Sequence, residues 1–298
     1  MKSNRQTKMS RKMRTAIWIL LIIAVCLSLT PTVTDTYSDI VQISVISGNA
    51  NTFDSMTEEE VRKEKADALA YNARLAQEQL TTPFAYQGQE VSSAEYESLL
   101  SQGTERTDNV MAYIDIPSID VYLPIAHGTS DDVLAFEAGH MYGSSLPIGG
   151  EASNAIIAAH TGLPTARLFS DVKKLENGAE IFITVLDEIH AYEVVKINIV
   201  PMGPEEQQYL QIEGKEDTIT LYTCAPYGVN TERVIVRASR NPAKDRKRDG
   251  DAEERIIKSK NKSAQVKLIL LLSIPIILII IWIVSEITNR KKQLSQRE

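Results

Sequence analysis

Two apolar runs, one near each end of the chain, constrain this sequence more than anything between them. The first, Ala16–Leu29 (AIWILLIIAVCLSL), follows six basic residues and no acidic one. Its 14 residues fall short of the roughly 20 that a bilayer-spanning helix needs, and Thr30–Val33 can extend it. A signal peptide has the same basic-then-apolar form, but no small-x-small cleavage site follows, so residues 16–33 read as a membrane anchor in preference to a signal segment. The second run, Leu268–Val284, holds 17 residues without a charge, with Trp282 near one edge as an interfacial anchor. Lys and Arg counts beside the first run place the N-terminus in the cytoplasm. Two spans return the C-terminus to the same side, where Arg290, Lys291, Lys292 and Arg297 lie. The body between the runs is then extracytoplasmic. A basic stretch at Arg255–Lys267 opposes this orientation, but the first span is taken to dominate.

The overall charge of −7 hides an uneven distribution: residues 31–255 carry 18 Lys and Arg against 37 Asp and Glu. So acidic a body is a poor partner for a phosphate backbone, which argues against nucleic-acid binding. The whole chain's 298 residues suit one or two globular domains.

Within the body, Ser55–Gln79 is the long helical stretch, opened by a Thr57/Glu60 capping box. Pro83, Gly88 and Gly103 mark a loop over residues 80–109, with a short helix at Ser93–Leu100. From Met111 the pattern changes to short β-like runs separated by Gly and Pro: Met111–Ile116, Val121–Ile125, Ala155–His160, Glu180–Leu186, His190–Val200, Ile219–Cys224 and Arg233–Ala238. Seven or eight such strands predict a closed barrel or a sandwich. Residues 241–262 are charged and poor in large apolar side chains, which predicts a flexible tether. The organisation is therefore a cytoplasmic tail (1–15), an anchor or signal segment (16–33), a helix and lid region (34–109), the β domain (110–240), a charged linker (241–265), a transmembrane helix (266–287) and a second tail (288–298).

Cys224 is the one cysteine of the exported body, since Cys26 lies in the first apolar run. It ends one β run and begins a turn, which suits a reactive thiol at a rim and equally a small buried hydrophobe. A thiol nucleophile needs a base or cation nearby, because its free pKa of about 8.5 leaves little thiolate at neutral pH. His127 and His160 both sit at strand-to-turn junctions, so spacing does not choose between them. His140 is a further candidate, while His190 reads as a solvated turn residue. Arg233 opens the next β run and would return level with Cys224 if the two runs pair, where a guanidinium suits an oxyanion or an ordinary ion pair.

TLYTC at Thr220–Cys224, with AAHTGLP upstream and NTERVIVR downstream, resembles the sortases of Gram-positive bacteria over roughly Asp108–Arg240. CAPYGVNTERVIVR, HGTSDDVL and GHMYGSSLPIGG, together with the two membrane segments, resemble the pilus-assembling class C branch. The resemblance implies a mainly β fold, a closed eight-stranded sortase-type β-barrel with an N-terminal helix and lid region and two flanking transmembrane helices. It implies His160, Cys224 and Arg233 as the catalytic set, Thr220, Leu221 and Thr223 as substrate-groove candidates, and structural roles for His127 and His140. No metal and no organic cofactor are implied. The implied activity is cleavage of an LPXTG-like sorting signal between Thr and Gly, with transfer of the acyl group to a lysine amine of a pilin. The alternatives are a sortase that attaches surface proteins to peptidoglycan and a non-catalytic, membrane-tethered β scaffold. Class C relatives commonly carry an Asp-Pro-aromatic lid. Here Thr82, Pro83 and Phe84 stand at the resembling place, with the ring and the proline but without the carboxylate.

Overall fold

The computed structural model describes residues 10–79, 82, 84, 93–101, 110–163 and 165–295. Helix α1 (Arg11–Ser55) begins where the Ser10 hydroxyl accepts the Met13 N–H. It runs through LTPTVTDT, where threonine hydroxyls bond back to carbonyls one turn earlier, Thr30 to Cys26 at 2.9 Å and Thr34 to Thr30 at 3.1 Å. Its second half, outside the expected helix, docks on the barrel through polar side chains: Gln42 Nε2 donates to Phe136 O and Asn49 Nδ2 to Val110 O. Helix α2 (Glu58–Gln79) has the expected capping box, with Thr57 N–H on Glu60 Oε2 at 2.8 Å and Glu60 N–H on Thr57 Oγ1 at 3.3 Å. Buried Asn72 fixes α2 to the barrel by bonding the Leu146 and Gly149 carbonyls and the Leu146 N–H. Helix α3 (Ala94–Ser98) delivers Tyr96 into the core, and α4 (Asp131–Leu134) is a single turn capped by Ser130.

The strands are β1 (Val110–Ile116), β2 (Val121–His127), β3 (Ala138–His140), β4 (Ser153–Ala158), β5 (Glu180–Val185), β6 (Glu188–Pro201), β7 (Asp217–Ala225), β8 (Glu232–Arg240) and β9 (Arg246–Lys247). They hydrogen-bond in the order β5-β1-β2-β3-β4-β7-β8-β6, and β5 pairs with β6, so eight strands close into a barrel with β9 added on β6. Alternation sends Ile219, Leu221 and Ala225 of β7 into the interior with Ile157, Val234 and Val236. The opposite face carries a second cluster, in which Ile156, Ala158, Val200, Leu210 and Ile235 pack with Phe84. β6 pairs with β5 over Glu188–Glu193 and with β8 over Tyr192–Pro201, with a one-residue bulge at Val195 in the second ladder.

The segment expected to be a flexible tether is ordered instead. Lys244 pairs with Glu180 at 2.6 Å, Asp245 with Arg240 at 2.9 Å, and β9 adds to β6. Helix α5 (Gly250–Ser295) then starts far earlier than its apolar run. Arg248, just before it, pairs with Asp54 of α1 at 2.8 Å, and Ile257 within it joins Ile43, Ile46 and Ala50 of α1 in a third cluster. The two helices lie antiparallel, with Arg11 on Glu286 at 2.6 Å at the far end. Both are long and apolar enough to cross a membrane.

Candidate active site

Register brings the sequence candidates together. In the antiparallel β7–β8 pair, Cys224 stands directly opposite Arg233. In the parallel β4–β7 pair, Ser153 faces Asp217 and Ala158 faces Tyr222. The Ala159 N–H continues that ladder onto Tyr222 O at 3.2 Å, so the next position, His160, stands level with Cys224. His160, Cys224 and Arg233 thus form a row across three neighbouring strands, about 5 Å from one to the next. Ile156, Ala158, Tyr222 and Ile235 share the outer face, and strand alternation assigns all three candidates to it.

The loop after β4 is held tightly. Phe169 N–H donates to His160 O at 3.1 Å, and the Thr161 and Thr223 hydroxyls share a 2.7 Å hydrogen bond. Thr223 Oγ1 also donates to Ala159 O at 2.6 Å. Gly162 has φ +82°, and a Cβ there would come within 2.7 Å of the Tyr227 ring, so the close packing of that ring needs glycine. Cys224 is partly exposed and opens into a pocket of 190 Å³ lined by Thr161, Phe169, Ser170, Tyr227 and Glu232 among others. A larger hollow of 770 Å³ lies elsewhere, between ion-paired groups such as Lys65 with Glu188 and Arg240 with Asp217, and no cysteine lines it.

Arg233 is held from several sides. Its Nε donates to Tyr222 Oη at 2.9 Å, Nη1 to the Asn230 and Glu232 carbonyls at 3.1 Å each, and Nη2 to Met202 Sδ. Glu206 Oε2 lies 3.8 Å from Nε. Burial opposes the charge, but Tyr222, Cys224 and Glu206 outweigh it and raise the guanidinium above its ordinary value. Burial, reinforced by Glu206, pushes Tyr222 up to about 12, so it stays a neutral phenol. Tyr222, Glu206 and Met202 were absent from the sequence candidates. Tyr222 was the legible one, because it lies two residues before Cys224 on the same strand face.

The other candidates have other surroundings. Leu221, a groove candidate, is fully buried in the barrel interior, because alternation turns it away from the face that carries Cys224. Thr220 lies on the outer face but is buried, with its hydroxyl on Asn154 Oδ1 at 2.8 Å, and Thr223 is used in holding the β4 end. His127 and His140 are buried around Tyr96. His127 Nε2 lies 2.8 Å from Leu99 O; His140 has Tyr96 Oη at 2.9 Å and Ser145 O at 2.7 Å. Burial holds His140 down at about 3, assisted by His127 and opposed by the Ser145 carbonyl. His190 is not a solvated turn residue but lies buried within β6, 2.9 Å from Glu188, because the strand starts two residues earlier than its apolar run.

Thr82 is exposed and its N–H continues the α2 ladder onto Glu78 O. Phe84 is buried in the outer-face cluster against Met141 and Ile156, with Tyr222 alongside, and its backbone forms a two-way hydrogen bond with the Gln211 amide. Pro83 lies outside the described residues. Among the described residues no cluster of three or more His, Cys, Asp or Glu side chains is placed to hold a metal ion.

Comparison with known proteins agrees with this architecture. A family profile described as Sortase domain matches residues 114–241. The solved Sortase C of Streptococcus pneumoniae, described as informative about pilin substrate specificity, is 35% identical and superposes with a TM-score of 0.59 over 69% of this chain and 99% of that one. Sortase C1 of Streptococcus agalactiae is 38% identical, with a TM-score of 0.57 over 64% of this chain and 95% of that one. Among curated proteins, Sortase A of Streptococcus agalactiae is 29% identical over 158 residues, 52% of this chain and 62% of that protein, so this chain spans under two thirds of that relative. With a closed barrel of the same shape and identities above 30% across nearly the full length of solved sortase C chains, the chain belongs to the sortase family.

Proposed function

We propose that this protein is a membrane-anchored cysteine transpeptidase that joins pilin subunits. The observation that carries the reading is the row of His160, just past β4, Cys224 on β7 and Arg233 on β8, whose middle member lines a pocket. A carbonyl seated over the thiol would have an imidazole on one side and a guanidinium on the other. Cys224 gives its proton to His160 and attacks the threonine carbonyl of an LPXTG-like signal, and a tetrahedral oxyanion forms beside Arg233. His160 protonates the departing glycine amine, leaving a thioacyl enzyme. The same imidazole then removes a proton from the incoming lysine amine, which takes the acyl group and frees the thiol.

The choice of a pilin lysine as acceptor rests on the solved sortase C relatives, one of which is described by its pilin specificity. The curated relatives named Sortase A support the second reading, attachment of surface proteins to peptidoglycan. Both readings place the barrel outside the cell, with α1 and α5 crossing the membrane and their basic ends in the cytoplasm. The acceptor decides between them. The purified protein, given a sorting-signal peptide and both amines, is expected to join the peptide to a pilin lysine; transfer only to a peptidoglycan-stem amine would establish the anchoring reading instead.

Thr82–Phe84 form a lid in this account. Phe84 closes the outer face next to Tyr222 by apolar packing and by its bond to Gln211, a closure stabilised by roughly 1.5–3 kcal/mol.

A further inference from the structure

A lid without a carboxylate leaves open what orients the arginine, and the structure holds an acid beside it from another direction. Glu206 comes from the 3-10 turn Pro204–Tyr209 between β6 and β7, and its side chain is only 11% exposed. Burying a carboxylate is costly unless it faces a charge. Its Oε2 lies 3.8 Å from Arg233 Nε and has no hydrogen-bond partner among the described residues. On the same Nε side stands the Tyr222 phenol, which accepts from Arg233 Nε at 2.9 Å.

We propose that Tyr222 and Glu206 are positioning residues that clamp the Nε side of Arg233 and present its Nη2 edge to the substrate oxyanion. The geometry divides the guanidinium in two. Nε faces the phenol and the carboxylate, and Nη1 is fixed by two backbone carbonyls. Nη2 instead meets the thioether of Met202. Thioether sulfur is a weak acceptor, so an oxyanion displaces it at little cost, whereas the oxygen partners hold the other two nitrogens in place. Tyr222 lies on β7 two residues before Cys224, so the phenol is rigidly placed relative to the thiol that it serves. The acid that the lid lacks is thus supplied permanently from the β6–β7 turn.

This inference rests on Arg233 acting in acylation, and a double-mutant comparison separates the two claims. The full-length chain in detergent micelles is acylated by an LPXTG-like peptide, and thioacyl formation is followed by intact mass. Tyr222→Phe and Glu206→Gln are each made in the native and in the Arg233→Ala background. In the native background Tyr222→Phe should lower the acylation kcat roughly ten- to a hundredfold, since small misplacements of a catalytic group cost up to that much. KM should stay within about twofold, and Glu206→Gln should have the same signature with a smaller loss. In the Arg233→Ala background both changes should cost less than about twofold. Alkylation of Cys224 by iodoacetamide and the melting temperature report whether each variant is folded, and conservative Glu206→Asp should recover part of the Glu206→Gln loss. Equal penalties in both backgrounds, or native kcat in both single variants, would overturn the clamp while leaving Arg233 in its role. Native acylation by Arg233→Ala would overturn the clamp and the role of Arg233 together.

Discussion

The barrel holds two clusters built from the same kinds of side chain. Around Tyr96, His127 and His140 are buried, and every ring nitrogen of His140 has a partner within 3.1 Å. At the β4–β7–β8 rim, His160 and Cys224 are partly exposed beside an arginine with a thioether on one nitrogen. A fully bonded cluster spends its polar atoms on structure. A cluster that leaves them weakly engaged keeps them for a ligand. The two clusters differ in the partners of their histidines, not in the strand ends that carry them.

The sharpest break of that comparison is between two alanine substitutions. His160→Ala should lower turnover by roughly 10²–10⁴-fold, the usual share of general acid–base catalysis, with the melting temperature little changed. His140→Ala should do the reverse. It strands the buried Ser145 carbonyl, at about 1–3 kcal/mol for an unsatisfied group, and leaves a hole beside Tyr96, so it should lower the melting temperature while the folded fraction keeps its turnover. If His140→Ala lost turnover without losing stability, the division would fail.

The buried cluster also carries a pH dependence. His140 is held at about 3 against an ordinary 6.5, so its contribution to stability is fully present above 6.5. Below that the unfolded chain takes up a proton that the folded one refuses, and stability falls as the pH drops toward 3. Thermal melts from pH 7 to pH 4 should show this decline; a flat profile would mean that His140 is not excluded from protons.

How much of this was legible beforehand follows from side-chain periodicity. β1, β2 and β4–β8 announce themselves as β-branched runs between Gly and Pro, and the Thr57/Glu60 box marks the start of α2. Strand β3 is three residues, Ala138–His140, too short to carry an alternation. The second half of α1 hides its helix in Ile, Val, Ser and Thr, residues that read as strand, and its buried face is partly polar at Gln42 and Asn49. The start of α5 looked like a tether because its charges were counted as solvated, whereas Arg248 and Glu253 are paired. At the site, the return of Arg233 to the level of Cys224 is readable from spacing and the TLYTC motif only from its resemblance to sortases, whereas Glu206 comes from a turn with no local signal and meets Arg233 only through the fold.

Smaller effects sharpen the comparison at the rim. Phe84→Ala should speed alkylation of Cys224 by a small thiol reagent by about tenfold, the lower end of the packing lost. Thr82→Asp should slow it by a few-fold at most, and less at high salt, because any ion pair made by a carboxylate at this exposed position is screened. Unchanged rates in both would place Thr82–Phe84 outside the access path to the thiol.

The central claim is that the row at the rim is a thioacyl-forming site. Intact mass of the purified chain after incubation with a sorting-signal peptide tests it most directly. The account predicts an adduct equal to the peptide through its threonine, released by hydroxylamine and absent from a folded Cys224→Ala protein. No adduct on the native chain, or the same adduct on Cys224→Ala, would contradict it.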